Sequence, residues 1–413
     1  MSIYYHLCIR SLDISQASPF IEMAWERIKA ESPSSRFMLL DQPEGSAPSL
    51  ADNSKWRQSD ELQPVMDYQS VISWSIPNER TLEDITKFPE MHTTPGPLRA
   101  VYKLSDKRAT KMLFEKFGLP TPCWEILDRG FTRGELLRES VKDNLEHCLL
   151  STIPFPLVIK PLWDCMGHGV EILSDRQALT AHLAEDNEKS VLVEEFIDGE
   201  LGCIEILGTP GHYYFQPPCL TGHSRNGVTS NFDTVRVSHP DLFRKLLTPE
   251  VKNSLMDLLN HLRFQGACCV DFIATPENLY FLEINPRISG ISCLSSAASG
   301  VNSFEATYLI SAQKWSEQAL PDGRSNAAVQ IGGAFADKYL PLLREQEPSL
   351  SIYRDNMISV DGHPSHSIIA GGECSLICRF LQAINFNGID ALFTARTAEL
   401  SRVVTPEKNC YEL

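Results

Sequence analysis

No run of about 18 apolar residues occurs in the 413-residue sequence, so no membrane-spanning helix is expected. Positive charge is in deficit: 37 Lys and Arg face 53 Asp and Glu, a formal net charge of −16. Phosphate backbones need basic patches, so nucleic acid is not an expected partner, although a basic pocket for a small anion stays compatible with an acidic total. The 12 cysteines are scattered, with no C-x-x-C among them. Most read as buried thiols of a reducing, cytoplasmic compartment in preference to a metal cluster. No Gly-x-Gly-x-x-Gly follows the first apolar run, which leaves a dinucleotide fold of the usual kind unsupported. There is no Gly-x-Ser-x-Gly and no persuasive Ser-His-Asp arrangement. The stretch Met1 to Arg10 lacks a basic leader and reads as a first strand, not an export signal. Neither internal repeats nor low-complexity segments occur.

What is present is a globular composition, 43% hydrophobic and 22% charged. The length suits two or three domains, each with its own core. Residues 1–104 read as a small α/β domain. It has strands at Ile3–Ile9, Phe37–Leu40 and Val71–Ile76, a helix over Pro19–Ala30, and loop-like sequence at 42–64. Ser105 is placed to cap a helix whose apolar positions are Ala109, Met112, Leu113 and Phe117, stopped by Gly118-Leu119-Pro120. Phe155–Pro161 is a strand carrying Lys160, and a lysine in an apolar strand is costly unless an anion meets it. Gly167-His168-Gly169 then makes a turn whose amides can face an anion. Further on come a helix at 176–187, a strand at Val191–Ile197, an apolar piece at Cys203–Leu207 and a polar loop at Pro217–Asn231. Thr248-Pro249 opens a strong helix that Gly266 is expected to end.

The most informative stretch is Cys268-Cys269-Val270-Asp271-Phe272 followed by Phe281-Leu282-Glu283-Ile284-Asn285-Pro286-Arg287, with turn chemistry at Thr275–Asn278 between them. Read as a hairpin with Asp271 opposite Glu283, it has a loop of about five residues. Asn285 shares a face with Glu283, because strand side chains repeat every second residue. Two carboxylates ~5 Å apart at an effective dielectric of ~20 repel by roughly 3 kcal/mol, which a divalent cation would reverse. Hard oxygens from Asp, Glu and Asn suit magnesium and not zinc, and magnesium usually shares its shell with substrate phosphates.

Taken in order, Asp106-Lys107, Ile159-Lys160-Pro161 with its glycine turn, Glu194-Glu195-Phe196-Ile197, Asp271 and Glu283-Ile284-Asn285-Pro286-Arg287 resemble the ATP-grasp superfamily over residues 105–315. The resemblance implies an α/β (α+β) ATP-grasp fold. It would have an N-terminal α/β domain at 1–104, a nucleotide-binding first lobe at 105–197, a metal-binding and catalytic second lobe at 198–325, and a C-terminal mixed α/β domain at 326–413. Carried over by position, it implies that Lys107 and Lys160 contact the nucleotide phosphates and that Gly167, His168 and Gly169 form a lid over them. Lys111 is the surface alternative to Lys107. Glu194, Glu195, Phe196 and Ile197 would read the adenine at the interlobe hinge, and Glu200 the ribose hydroxyls. Asp271, Glu283 and Asn285 would hold magnesium, or manganese in its place.

Arg287 would steady the transferring phosphoryl group, and Arg225, in the polar loop, could hold a carboxylate. Cys269 stands where D-alanine–D-alanine ligases carry an arginine, which favours the Asn-Pro-Arg branch of the superfamily. The implied activity is ATP-dependent joining of a small carboxylic or amino acid to an amine through an acyl phosphate. The alternatives are a carboxylase-type or purine-pathway enzyme activating bicarbonate or formate, and a non-catalytic nucleotide-binding module. Partners would be the small carboxylate and amine substrates and, at family level, a second copy in a homodimer.

Overall fold

The computed structural model describes residues 5–10, 14–33, 35–40, 56–58, 70–75, 97–127, 153–163, 169–184, 190–226, 234–315, 325–360 and 363–386. The N-terminal strands β1 (Tyr5–Arg10), β2 (Arg36–Leu40), β3 (Trp56–Gln58) and β4 (Ser70–Ser75) form a parallel sheet in the order β3-β2-β1-β4. The strand β3 lies within the stretch expected to be loop-like; three residues are too few to give an alternation signal. Helix α1 (Phe20–Glu31) buries Phe20, Ile21, Ala24, Trp25 and Ile28.

Two helices follow. Helix α2 (Leu98–Ser105) crosses the boundary expected at residue 104, and α3 covers Lys107–Lys116. The cap of α3 is Asp106, whose carboxylate accepts from Ala109 N at 2.9 Å, and not Ser105, which ends α2. The inward face of α3 also differs from the apolar reading. Lys107, Thr110, Lys111, Leu113 and Phe114 are buried, while Met112 is 55% exposed.

A four-stranded antiparallel sheet comes next. Its strands are β5 (Trp124–Leu127), β6 (Leu157–Pro161), β7 (Glu171–Leu173) and β8 (Val191–Glu195), in the order β5-β8-β6-β7. Helix α4 (Arg176–Ala184) packs beside β7, and Leu127, Leu157, Ile159, Leu173, Leu179 and Val193 make the core of this lobe.

The largest element is a nine-stranded sheet. It contains β9 (Glu200–Thr209), β10 (His212–Phe215), β11 (Cys219–His223), β12 (Val235–Ser238), β13 (Gly266–Ala274), β14 (Leu279–Asn285), β15 (Asn326–Gly332), β16 (Ser351–Val360) and β17 (His363–Glu373). The order is β14-β13-β9-β11-β12-β15-β17-β16, with β10 on β9. Strands β15–β17 therefore continue the sheet begun by β9, and part of the segment expected to be a polar loop is the interior strand β11.

Helix α5 (Pro249–His261) starts at Thr248, which accepts from Val251 N. It ends near Arg263, in the left-handed region at φ 50°, before Gly266 is reached. Together with α8 (Ala334–Gln346) and α9 (Cys374–Ala383) it covers one sheet face over Ile204, Ile206, Val270, Phe272, Phe281 and Val329. The other face, with Cys203, Leu207, Cys219, Cys269 and Ala328, meets α1, α6 (Ser292–Ser299) and α7 (Ser303–Ser311). Alternation along β13 thus sends Cys268 into one core and Cys269 into the other. Gly199, between β8 and β9, is held to glycine by close approach: a Cβ there would lie 2.5 Å from the Ala274 carbonyl oxygen.

Candidate active site

The hairpin β13–β14 pairs Asp271 with Glu283 and Cys269 with Asn285. A register shift between Asp271 and Phe272 absorbs one residue, so the loop is the four residues 275–278 and not five. On the other side of β13, β9 places Cys203 opposite Asp271 and Glu205 opposite Cys269. The sheet face therefore carries two cross-strand rows, Cys203–Asp271–Glu283 and Glu205–Cys269–Asn285. The Asn285 amide nitrogen donates to Asp271 Oδ2 at 2.8 Å and to Glu283 Oε1 at 3.0 Å, which brings all three side chains to one point. Burial and the adjacent Glu283 charge push Asp271 above the usual carboxylate range. Burial acts the same way on Glu283, but Lys107, the Asn285 amide, Lys160 and Arg287 outweigh it and hold that carboxyl low. These donors fit a hard divalent cation: two carboxylates converge, and a half-turn of the Asn285 amide would present a third oxygen.

Cations line the site. Lys107, buried at the start of α3, places Nζ 3.6 Å from Glu283 Oε2. Lys160 Nζ donates to Glu194 Oε2 at 2.8 Å, and Lys111 Nζ lies 2.9 Å from Glu194 Oε1. Lys111 is not on the surface. It is fully buried and also donates to Thr121 Oγ1 at 2.7 Å and to the Phe281 carbonyl at 3.3 Å. Burial brings Lys111 down to about 8 against the opposing pull of Glu194, which leaves it mostly charged near neutrality. Arg287 donates from Nη2 to Asn285 Oδ1 at 3.4 Å and from Nη1 to the Ile288 carbonyl at 3.2 Å. Four cations (Lys107, Lys111, Lys160, Arg287) against three carboxylates (Glu194, Asp271, Glu283) leave one net positive charge before any divalent ion enters.

The other expected residues are distributed around this centre. Glu194 lies at the end of β8 with both carboxylate oxygens beside lysines, while Glu195, Phe196 and Ile197 form the link toward β9. The Glu195 amide donates to the Cys123 carbonyl and the Phe196 amide to the Pro156 carbonyl, each at 3.0 Å. Glu200 opens β9, half-buried, and burial raises its carboxyl. Gly169 has φ +67°, and a Cβ there would lie 2.8 Å from Pro161 Cγ, so this turn accepts only glycine without strain. Gly167 and His168 lie outside the described residues. Arg225 is 71% exposed and pairs with Asp198; no contact joins it to the trio among the described residues.

Three groups escape the sequence reading. Glu205 is fully buried in the row of Cys269 and Asn285 and accepts from Ser292, from Ser295 at 3.1 Å and from Ser303 at 2.5 Å. An acid inside Cys203–Leu207 is as costly as Lys160 in its strand, and that signal is there to be read. Arg236 on β12 and Arg354 on β16 stand on the trio's face. Arg236 is close enough to feel Cys203 and Cys219, and Arg354 is lowered by burial and by Arg236. Their positions depend on strand order, which sequence spacing does not convey.

Residues 104–291 match the family model of the ATP-grasp domain. A carbamoyl-phosphate synthase of Methanobrevibacter smithii is 27% identical over 242 residues, 58% of this chain and 61% of that protein; the match thus spans about three-fifths of that relative's length. Among solved structures, N5-carboxyaminoimidazole ribonucleotide synthetase from Thermus thermophilus superposes with a TM-score of 0.64 at 15% identity, covering 94% of this chain and 98% of that one. The L-amino acid ligase from Bacillus licheniformis gives 0.62 at 14% identity, covering 92% and 97%.

Proposed function

On the premise of an ATP-grasp fold, we propose that this chain uses ATP to phosphorylate a small acid and passes the resulting acyl phosphate to a nitrogen nucleophile. The observation that carries this reading is the convergence of Asp271, Glu283 and Asn285 beside Lys107 and Lys160. Asp271, Glu283 and Asn285 are the residues that would hold magnesium, which when bound would neutralise phosphate charge. Lys107 and Lys160 bind and orient the phosphates of the substrate ATP under a lid that includes Gly169. Glu195, Phe196 and Ile197 border the adenine, and Glu200 the ribose. Glu194 holds Lys111 and Lys160 in place as well as bordering the base.

An oxygen of the acid attacks the γ-phosphorus and ADP departs. The nitrogen lone pair then attacks the acyl carbon, the carbon–oxygen bond to phosphate breaks, phosphate leaves, and the nitrogen loses a proton to solvent. Arg287 stabilises the charge passing between acid and phosphoryl group. No protein nucleophile is required, so positioning and charge neutralisation do the catalysis.

Bicarbonate is the acid that the similarity to carbamoyl-phosphate synthase and N5-carboxyaminoimidazole ribonucleotide synthetase supports, and formate the one that a 29% match over 161 residues to a formate-dependent phosphoribosylglycinamide formyltransferase of Prochlorococcus marinus supports. An amino acid, giving a peptide-like amide, is the second reading. The arginines Arg236 and Arg354 support it, because an amino acid that serves as the amine brings an unreacted α-carboxylate, which needs a cationic partner of its own. ADP release measured with bicarbonate, formate and an amino-acid panel, each with amines, tests both. Release that depends on an acid and an amine is expected; nucleotide hydrolysis indifferent to every acid would overturn the proposal.

A further inference from the structure

Cys203, Cys219 and Cys269 lie far apart in sequence, yet the strand order gathers them on the sheet face that carries the acidic trio. In register, Cys203 is opposite Asp271 on one side and opposite Cys219 on the other. Cys203 neighbours both Cys219 and Cys269, and Cys269 Sγ donates to Asp271 Oδ1 at 3.5 Å. The Sγ atoms of Cys203 and Cys269 and a carboxylate oxygen of Asp271 all lie within 4.8 Å of one another.

A tetrahedral zinc site, with bonds of roughly 2.3 Å to sulfur and 2.1 Å to oxygen, needs sulfur-to-oxygen edges of roughly 3.6 Å and sulfur-to-sulfur edges of roughly 3.8 Å. The Cys269–Asp271 edge already has that length, and the other two are no longer than 4.8 Å. Two sulfurs and one oxygen are a borderline-soft donor set. Magnesium, which demands six hard oxygens, is not served by it.

We propose that Cys203, Cys269 and Asp271 form a binding site for a borderline-soft divalent cation of the zinc or cadmium type, adjacent to the oxygen site of the trio and sharing Asp271 with it. Binding exchanges two thiol protons for the ion and takes the Asp271 carboxylate away from the oxygen site. Occupation of the thiol site therefore competes with magnesium and turns the enzyme off. The binding itself does not depend on the reaction assigned above; only the competition does.

Cadmium chloride titrated into the full chain, free of reductant thiols, reads the site through sulfur-to-cadmium charge-transfer absorption. One equivalent is expected to saturate the band. Cys203→Ser and Cys269→Ser should each reduce it and weaken binding at least tenfold. Cys268→Ser, on the opposite sheet face, should leave it intact. The double substitution Cys374→Ser/Cys378→Ser should also preserve it, although those two thiols are the other close pair among the described residues. Absence of the band in the wild-type protein overturns the site. So does a band lost only with Cys374 and Cys378. Cadmium NMR of the wild-type chain supplies the ligand count without any variant: a mixed sulfur–oxygen shift is expected, and an all-oxygen shift overturns the proposal. ADP release at fixed magnesium should fall as the band saturates; a saturated band with undiminished turnover removes the shared role of Asp271. A missing band with acid-dependent turnover defeats this site alone, whereas a mapped band with no turnover on any acid defeats only the reaction.

Discussion

Lys111 Nζ lies 2.9 Å from Glu194 Oε1, with the two side chains 0% and 2% exposed. This ion pair joins the helix that opens the first lobe to its central strand, and Lys160 closes it from the other side at 2.8 Å. An ion pair so buried is weak as a source of net stability but expensive to break from one side. Lys111→Met should therefore cost about 3 kcal/mol in urea unfolding, because it leaves Glu194 short of one counter-charge. The double substitution Lys111→Met/Glu194→Gln should recover much of that loss. Equal stability of Lys111→Met and wild type would show that the pair is not held closed.

The same carboxylate gives a pH signature. Burial raises Glu194, but Lys111 and Lys160 prevail and hold it at about 2, against an ordinary 4.5. A carboxyl depressed by folding contributes stability that is complete above its unfolded value and is lost as pH falls toward its folded one. The stability difference between wild type and Glu194→Gln should therefore change between about pH 4.5 and about pH 2. Parallel curves through the acid window would contradict the assignment.

Asp271→Asn and Glu283→Gln should each lower kcat by at least roughly 100-fold, the scale of removing one preorganised electrostatic group. Circular dichroism should stay near wild type for both; the urea midpoint should hold for Asp271→Asn, which relieves carboxylate repulsion, and fall for Glu283→Gln, which takes a counter-charge from the buried Lys107. Full turnover in either variant would refute the cation role.

Arg236→Met tests the amino-acid reading. If the unreacted α-carboxylate of an amino-acid amine is held there, KM for that amine should rise roughly tenfold, about 1.4 kcal/mol, while KM for ATP stays put. An unchanged KM for every amino-acid amine would remove that role for Arg236.

The trio is legible because it depends on local rules only: period-two alternation, turn residues at Thr275–Asn278 and the cost of facing acids. Even there the bulge at Asp271/Phe272 changes the loop length without changing which residues meet. Lys111 is misplaced by apolar spacing, because the buried face of α3 is partly charged and paired with Glu194. Arg236, Arg354 and the thiols of Cys203, Cys219 and Cys269 are invisible for a different reason. They come together through β9, β11, β12, β13 and β16 lying in one sheet, and no sequence spacing reports that order. Arg225 has the right chemistry for a carboxylate fork, but its nearest acid, Asp198, takes it.

The central claim is that an oxygen of the acid becomes bonded to the γ-phosphorus of ATP. Turnover of an acid labelled with heavy oxygen in its carboxyl group, followed by mass spectrometry of the released phosphate, tests it directly. One labelled oxygen per phosphate is the predicted result. Phosphate carrying only solvent and ATP oxygen, while product still forms, would contradict the account.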